Sequence, residues 1–396
     1  MKLAIISVAL PPSESGQSMV LFHLLKNIKS DLYCLITQKY KNSRRFQGNF
    51  SGKLPAKYYY LSPDLQTVQR IVKVLLVFRL HRLFDIILAL RTYQIKRILL
   101  REKADVVIAC TADLFDPPAA FSACKNLKIP FIFYIFDYYS HQWENPAFRA
   151  FAERHERDIV LGASGIFVPN EYLCEEYKKR YGVLVTTLHN PVDIVEYEHN
   201  ARITPETLSS GVKIVYTGAV YEAHYSAFKN LVTAIKKIND PQLKLHLYTS
   251  QSPAQLGTKG IVGPVLLHQY QLYQNIPAIQ RNANILFLPL AFNSIYPEII
   301  KTSAPGKIGE YLASKKPILV HAPKNSFVSW YFKKYNCGLV VDEESPELLA
   351  QAIERLLTDK NFCQEITQNA YIRATSDFDI GIVQKKFQDC LKLTEK

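Results

Sequence analysis

Residues 302–317 read T-S-A-P-G-K-I-G-E-Y-L-A-S-K-K-P and lie between two strand-like runs. An uncharged, strand-like run, N-I-L-F-L-P, precedes it at residues 284–289, and a second strand-like run covers residues 317–320. Between the two runs, Ile308, Tyr311 and Leu312 recur at helical spacing, so we predict a short helix over residues 306–314. Pro305 and Gly306 would form its entry turn, because both residue types are favoured around a helix start.

Lys307 and Glu310 are three residues apart and therefore project from the same face of the first turn of this helix. A helix start with a lysine suits phosphate, since free backbone N–H groups and the helix dipole attract anions. A carboxylate one turn further on can accept hydrogen bonds from a pair of sugar hydroxyls. The two side chains outline a site for a sugar-nucleotide diphosphate. The alternative is a surface Lys–Glu pair on an ordinary helix.

The pattern P-x-K-x-x-E-Y-L-A at residues 305–313, followed by Pro-Ile, resembles the nucleotide-sugar signature of retaining GT-B-fold glycosyltransferases of the group 1 and family 4 type. The resemblance implies that Lys307 contacts the donor phosphates, that Glu310 holds the ribose hydroxyls, and that Ile308 joins them in the donor site. Family members often carry another glutamate eight residues earlier, where this chain has Thr302, and Glu298 is at the wrong spacing. This departure leaves the donor sugar open more than the reaction.

The charge of the chain is concentrated in its first half. The 396 residues are enough for two domains with cores of their own, and 48% hydrophobic and 21% charged residues fit a globular protein. Of the net charge of +13, residues 1–192 carry +10 and residues 193–396 carry +3. A basic half attracts nucleic acid or an anionic membrane surface. No nucleic-acid-binding module is visible, so we predict the membrane and no nucleic-acid partner.

The cysteines and the amino terminus bear on the compartment. Seven cysteines are scattered without a C-x-x-C pair, which argues against a zinc site or a disulfide framework and favours a reducing cytoplasm. The first ten residues, M-K-L-A-I-I-S-V-A-L, are interpreted as a buried strand and not a signal peptide, because Pro11 follows and no A-x-A site does. No uncharged run is long enough to span a bilayer. We therefore predict a cytoplasmic protein, peripheral on the inner membrane face.

Residues 67–101 form the segment predicted to meet the membrane. Between residues 67 and 100 only Asp85 opposes seven basic side chains, and apolar residues fill most other positions. The basic residues are Arg70, Lys73, Arg79, Arg82, Arg91, Lys96 and Arg97. Such a segment can lie in the membrane interface, and anionic lipid contributes about 1 kcal/mol per nearby basic residue. The alternative is one or two helices packed on the domain with basic rims.

Three residues of the first domain are candidates for the site. Gly16 follows the first strand and matches the glycine whose backbone lies against the donor phosphates in the resembling family; the alternative is a glycine needed for turn geometry. Asp137 follows a buried run, P-F-I-F-Y-I-F, where a parallel sheet places its site. Asp137 is the first candidate for the acceptor hydroxyl and His141 the second. The alternatives are a helix cap for Asp137 and a solvent-facing histidine.

Four residues of the second domain complete the predicted donor site. Gly218 follows a strand and resembles the loop that approaches the donor phosphates, but the arginine common in relatives is missing there. Lys229 could supply its charge or could be an exposed helix residue. Gly263 and Val265 lie in the run I-V-G-P-V, which matches the place where relatives hold the nucleotide base.

The predicted architecture is GT-B, with two Rossmann-like, doubly wound parallel-sheet domains facing across a cleft. The first domain would span residues 1–193, a linker 194–211 and the donor domain 212–377, while residues 378–396 would form a helix returning to the first domain. The predicted reaction transfers a sugar from a nucleoside-diphosphate donor to a hydroxyl of a glycan or lipid-linked acceptor, and the resemblance alone implies retention. We predict no metal and no cofactor. Two rivals remain open: a sugar-nucleotide epimerase, and a non-catalytic membrane-bound partner.

Overall fold

The computed structural model describes residues 1–13, 15–39, 52–77, 83–199 and 211–393. The chain divides into two compact units, one of Met1–His189 with Val383–Lys396 and one of Asn190–Ile382. Each unit is a parallel α/β domain, which confirms the predicted fold class. Most of the predicted linker, residues 200–210, and the basic residues Arg79 and Arg82 lie outside the described residues.

The first unit is built on a seven-stranded, wholly parallel sheet in the order β3-β2-β1-β4-β5-β6-β7. Its strands are β1 Leu3–Ile6, β2 Tyr33–Gln38, β3 Lys57–Leu61, β4 Val106–Cys110, β5 Phe131–Tyr134, β6 Gly165–Val168 and β7 Thr186–Thr187. Its helices are α1 Gly16–Leu25, α2 Leu65–Val77, α3 Phe84–Glu102, α4 Asp116–Leu127, α5 Pro146–Gly162 and α6 Glu171–Tyr181.

The second unit is built on a six-stranded, wholly parallel sheet in the order β10-β9-β8-β11-β12-β13. Its strands are β8 Val212–Thr217, β9 Leu243–Tyr248, β10 Val265–His268, β11 Ile285–Pro289, β12 Ile318–His321 and β13 Leu339–Val341. Its helices are α7 Ile194–His199, α8 Tyr225–Ile238, α9 Pro253–Gly257, α10 Ile276–Arg281, α11 Pro297–Thr302, α12 Lys307–Ala313, α13 Phe327–Tyr335, α14 Pro346–Thr358 and α15 Lys360–Arg373.

The limits of the units differ by a few residues from those expected from the sequence. The first unit ends at His189 and not at residue 193. Residues 194–199, expected to open the linker, form helix α7, because Ile194 and Tyr197 are three residues apart and both bury their side chains. The last helix, α16, covers Ile380–Leu393, and its part from residue 383 onwards packs into the core of the first unit.

The strand order indicates where each sheet would bind a ligand, at the carboxyl ends of its strands. In the first unit the order reverses between β1 and β4, and in the second unit between β8 and β11. Parallel α/β sheets bind ligands beyond the carboxyl ends of their strands at such a reversal. The loops that follow β8 and β11 carry Gly218 and, after α11, Lys307. None of the helices in the described ranges is long and apolar enough to cross a membrane.

Candidate active site

The second unit brings Lys307 and Gly218 into direct contact. Helix α12 begins at Lys307 and ends at Ala313, within one residue of the predicted limits. The Lys307 ammonium lies 4.9 Å from the centre of the Tyr216 ring. A Cβ atom placed on Gly218 would be 2.8 Å from Lys307 Nζ. Gly218 has φ +123°, a conformation that side chains other than glycine's strongly disfavour. Both its conformation and its neighbour therefore require glycine at this position.

Glu310 lies on the same turn as Lys307, and its carboxylate accepts a hydrogen bond from Gln280. Gln280 Nε2 donates a hydrogen bond of 2.9 Å to Glu310 Oε2. Protein packed around the two half-buried ionic side chains lowers the pKa of Lys307 and raises that of Glu310, because it removes water from both charges. The opposite charge of each side chain counteracts this shift on the other. The pair thus lies in surroundings where charge interactions are stronger than in water.

The two turns that carry these residues are fixed by local hydrogen bonds. Asn190 Nδ2 donates to the carbonyl oxygen of Ala304 at 2.8 Å, which holds the turn before α12. The Ile308 N–H already donates to the Pro305 carbonyl at 3.0 Å, and the Ile308 side chain is buried. Of the three motif residues, Ile308 therefore anchors the helix, while Lys307 and Glu310 present their charged groups.

His224, in the loop after β8, is a buried neighbour of Lys307 that the sequence analysis did not single out. Burial and the nearby Lys307 charge lower the pKa of His224 to about 3, so the ring is neutral near pH 7. Tyr216 donates from its hydroxyl to the Ala219 carbonyl at 2.8 Å. These contacts hold the loop that carries Gly218 without adding a second cation beside Lys307.

Three predicted donor residues lie elsewhere. Gly263 and Val265 stand at the amino end of β10, whereas Gly218 follows the carboxyl end of β8, so the parallel sheet separates them onto opposite edges. The run I-V-G-P-V at residues 261–265 ends at the first residue of β10, so it lies before this strand and not after it. Lys229 is exposed on α8, and its side chain lies against Gly260: a Cβ atom placed on Gly260 would be 3.3 Å from Lys229 Cε. The structure therefore does not group these residues with Lys307.

The residues at the carboxyl ends of β9 and β10 lie at the same end of the sheet as Gly218, and they were not predicted as site residues. His268, the last residue of β10, stacks on Tyr248, the last residue of β9, with ring centroids 4.2 Å apart and an angle of 11°. Tyr270 follows and is 45% exposed. The apolar run V-L-L-H at residues 265–268 is the sequence signal that would have located this strand end.

Gly16 lies on the corresponding edge of the first unit, where it is the first residue of α1. Ser15 caps this helix by accepting a hydrogen bond from Ser18 N. Gly16 has an ordinary negative φ, and a Cβ there would meet nothing within 4 Å. Neither the turn geometry nor close packing within the protein requires a glycine, so the turn-geometry alternative is not supported.

Asp137 also lies at the carboxyl edge of the first unit, three residues beyond β5, and its side chain is exposed. Its backbone turn is tied to the neighbouring strand, because Thr111 Oγ1 accepts from Phe136 N at 2.9 Å and from Asp137 N at 3.4 Å. His141 is half-buried, and its Nδ1 lies 2.7 Å from Arg149 Nη2. Asp137 does not cap a helix, and His141 is neither fully exposed nor without a partner.

Tyr138, which directly follows Asp137, is linked through Arg180 to the buried carboxylate of Glu156. Tyr138 accepts a hydrogen bond of 2.5 Å from Arg180 Nη1, and Arg180 also pairs with Glu156 at 3.6 Å. Glu156 is fully buried and accepts hydrogen bonds from Tyr177 and Tyr181. Buried polar atoms require hydrogen-bond partners, and these donors supply them to both oxygens of Glu156. The turn with Asp137 and His141 is therefore held in one conformation.

A second buried polar cluster lies under the same edge of the first unit. Gln38 donates to Asp113 at 3.0 Å and to Asp116 at 2.8 Å. Arg91, counted above among the basic residues of the membrane segment, is 1% exposed; its Nε lies 3.8 Å from Asp116 Oδ1, and its Nη2 donates to the Pro63 carbonyl. The expectation that Arg91 contributes to a basic surface is wrong. It joins α3 to α4 inside the domain.

The prediction of a metal-free reaction assumed that the sequence offers no obvious Asp-x-Asp loop, but one such triplet runs from Asp377 to Asp379. Asp377 accepts a hydrogen bond from the Tyr331 hydroxyl at 2.7 Å and pairs with Arg373 at 3.6 Å. Asp379 accepts from the backbone N–H groups of Gly381 and Ile382 at the start of α16. Both carboxylates have structural partners, so this triplet gives no reason to place a metal there.

Two family models match the chain in sequence. The model described as Glycosyltransferase Family 4 matches residues 46–196, and the model described as Glycosyl transferases group 1 matches residues 211–359. No curated protein matches the chain. The two matches fall on the first and second units respectively.

Solved structures match the chain over nearly its whole length. A glycosyltransferase from Rickettsia africae ESF-5 has a TM-score of 0.72 at 13% identity and covers 100% of this chain and 98% of its own. Anabaena Alr3699/HepE, in complex with UDP and glucose, has a TM-score of 0.67 at 14% identity and covers 99% of each chain. A putative UDP-N-acetylglucosamine 2-epimerase from Listeria monocytogenes has a TM-score of 0.63 at 13% identity and covers 99% of this chain and 95% of its own. At such identities the likeness concerns the fold alone.

Proposed function

Because the chain is a glycosyltransferase of the group 1 and family 4 type with the GT-B fold, we propose that it moves a sugar from a nucleoside-diphosphate donor to a hydroxyl acceptor. The observation that carries the proposal is the contact of Lys307 with Gly218, with Glu310 on the same turn as Lys307, at the reversal of strand order in the second unit. A diphosphate fits the ammonium, and the ribose hydroxyls fit the carboxylate. The aromatic strand ends at Tyr248 and His268 then mark the region for the base.

In the proposed reaction, the bond between the anomeric carbon and the diphosphate oxygen breaks and a bond from that carbon to the acceptor oxygen forms. The departing diphosphate gathers negative charge, which the Lys307 ammonium stabilises more strongly in the transition state than in the bound donor. The proton of the acceptor hydroxyl passes to the departing diphosphate oxygen as that oxygen gathers charge, and Asp137 is the proposed group that contacts this hydroxyl. Retention of the anomeric configuration and independence of a metal are part of the proposal.

A binding screen followed by a product assay tests this function. We expect one of UDP, GDP and dTDP to raise the melting temperature, since a ligand present at 100 times its Kd stabilises the native state by about 2.7 kcal/mol. The matching sugar nucleotide should then lose its sugar to an added hydroxyl acceptor. Turnover of the donor without an acceptor would favour the epimerase. Binding of none of the three nucleotides would favour the non-catalytic partner and contradict the proposal.

The proposed acceptor is a lipid or lipid-linked glycan, with the protein peripheral on an anionic membrane, and its support is the exposed face of α2 and α3. Along α3 the exposed apolar residues recur at a spacing of three, four or seven: Ile86 63%, Leu90 42%, Tyr93 58% and Leu100 58%. On α2 they are Ile71 39%, Val74 54% and Val77 77%. Basic side chains lie beside both stripes, with Arg70 and Lys73 on α2 and Arg97 and Arg101 on α3. This combination suits a lipid surface carrying negative headgroups.

Substitution of the α3 stripe tests the membrane proposal. We expect Ile86→Gln with Tyr93→Gln to weaken sedimentation with phosphatidylglycerol vesicles by about tenfold, since two apolar side chains lose their insertion into the interface. Wild-type binding should also fall with added salt. Leu266→Gln with Ile372→Gln, two equally apolar residues each 44% exposed on the second unit, is the matched control. Equal binding of wild type to neutral and anionic vesicles would contradict the proposal.

A further inference from the structure

Gln280 is a fully buried polar residue that no step of the proposed reaction uses. It lies on α10, a six-residue helix that leads into β11, and its side chain is 0% exposed. A buried amide is costly unless its donors and acceptor are paired. Its amide makes hydrogen bonds with side chains from three other elements of the second unit. The hydrogen-bond partners of Gln280 therefore indicate its role.

The hydrogen bonds of Gln280 fix the orientation of its amide. The Tyr197 hydroxyl donates to Gln280 Oε1 at 2.7 Å. On the other side, Gln280 Nε2 donates to Glu310 Oε2 at 2.9 Å and to Thr217 Oγ1 at 3.0 Å. A carboxylate only accepts hydrogen bonds, so the end of the amide that faces Glu310 must be the NH₂ group. The contact occupies one carboxylate oxygen of Glu310 and leaves Oε1 outside this network.

We propose that Gln280 is a positioning residue for donor recognition, which holds the Glu310 carboxylate in the orientation that accepts the two ribose hydroxyls of the nucleotide. The inference rests on the proposed function, because it assigns the ribose to Glu310. Tyr197 acts behind Gln280 by preventing its amide from turning over. The side chains proposed to recognise the ribose thus form a hydrogen-bonded chain from Glu310 on α12 through Gln280 on α10 to Tyr197 on α7.

The protonation of Glu310 supports the same role. Burial raises the pKa of Glu310, whereas the hydrogen bond from Gln280 and the charge of Lys307 lower it. Loss of the Gln280 donor would move this pKa further up. A protonated carboxyl has one acceptor fewer, so nucleotide affinity would be lost as pH falls through the raised pKa. In the wild type the same loss would occur at a lower pH.

The test compares matched ribonucleotides and 2′-deoxyribonucleotides, UDP with 2′-deoxy-UDP and GDP with 2′-deoxy-GDP, by calorimetry. Wild type should prefer the ribonucleotide, and Gln280→Leu should reduce ribonucleotide affinity by about tenfold while affecting the 2′-deoxy form much less. Its affinity should also decline at a higher pH than that of wild type. Gln280→Glu has the same shape but places a second carboxylate against Glu310. This variant should bind the nucleotide better as pH falls, because the two carboxylates then share one proton and no longer repel each other.

Tyr197→Phe extends the test, because it keeps the ring and removes only the hydroxyl that orients the amide; a smaller loss in the same direction is expected. Melting temperatures of all variants separate folding from recognition. If Gln280→Leu lowers stability but keeps the wild-type ratio of ribo to 2′-deoxy affinity and its pH profile, Gln280 is structural and the inference is wrong. Wild type that binds the two sugar forms equally, or that binds dTDP alone, also overturns the inference, because dTDP has no 2′-hydroxyl. Wild type that binds neither UDP nor GDP nor dTDP overturns the proposed function itself.

Discussion

Lys307→Ala should abolish most of the sugar transfer, with kcat/KM for the donor falling about a thousandfold. The ammonium is the charge seated against Gly218 and over the Tyr216 ring, and the neighbouring His224 is neutral near pH 7. The side chain of Lys229, the sequence-based substitute, lies against Gly260 instead. With no second cation described at this position, we expect the variant to lose both diphosphate affinity and stabilisation of the leaving group.

Two measurements distinguish the causes of this loss. Calorimetry with the nucleoside diphosphate reports the ground-state contact, and kcat at saturating donor reports the stabilisation specific to the transition state. Lys333→Ala is the matched control, because the Lys333 ammonium pairs with Asp342 at 2.6 Å and has no part in the proposed donor site. The control should retain wild-type affinity. Unchanged nucleotide affinity in Lys307→Ala would refute the phosphate assignment.

The parts of the site that were predictable are local in sequence. Helix α12 and its pair Lys307 and Glu310 lie within four residues of one another, and the 3.6-residue period of the apolar side chains fixes which face they share. Both ionic groups and their helix were therefore predictable from the sequence. The contact of Lys307 with Gly218 spans 89 positions in sequence, and only the family resemblance assigned both residues to the donor phosphates.

The errors come from short elements and from buried polar residues. Strand β10 has four residues and none of them is buried, so its pattern is a weak signal for a strand. The family resemblance assigned the base contact to the run with Gly263 and Pro264, which lies at the amino end of β10, whereas parallel sheets bind ligands beyond the carboxyl ends of their strands. Gln280 gave no signal at all, because its partners Thr217 and Glu310 are distant in sequence and a glutamine in a helix is ordinarily exposed.

Arg91 is a different kind of error, because the sequence did contain the signal. Along α3 the buried positions Ile87, Arg91, Ile95 and Leu99 follow one another at intervals of four. A basic residue in the middle of such a stripe faces the core, and it requires a buried carboxylate, which Asp116 supplies. The exposed stripe of the same helix is then defined by the remaining apolar positions, which is the face assigned to the membrane.

Gly218→Ala should reduce kcat/KM by about a hundredfold, although the change adds a single methyl group. The new Cβ would lie 2.8 Å from Lys307 Nζ and 3.0 Å from Lys307 Cε, so the end of the lysine must move away. The backbone at φ +123° adds strain of about 1–3 kcal/mol for an alanine, which should lower the melting temperature by several degrees. Gly257→Ala is the control, because its Cβ would make an ordinary contact of 3.7 Å with Val262 and its φ is not positive.

A double substitution identifies the lysine as the group through which Gly218→Ala acts. In the Lys307→Ala background there is no ammonium left to displace, so adding Gly218→Ala should reduce activity by much less than a hundredfold. The loss of stability, which arises from the backbone at residue 218, should remain in full. If the two substitutions instead multiply in kcat/KM, the glycine contributes independently of the lysine. The methyl group would then obstruct the donor itself, and the close contact between the two residues would not be the reason for glycine at this position.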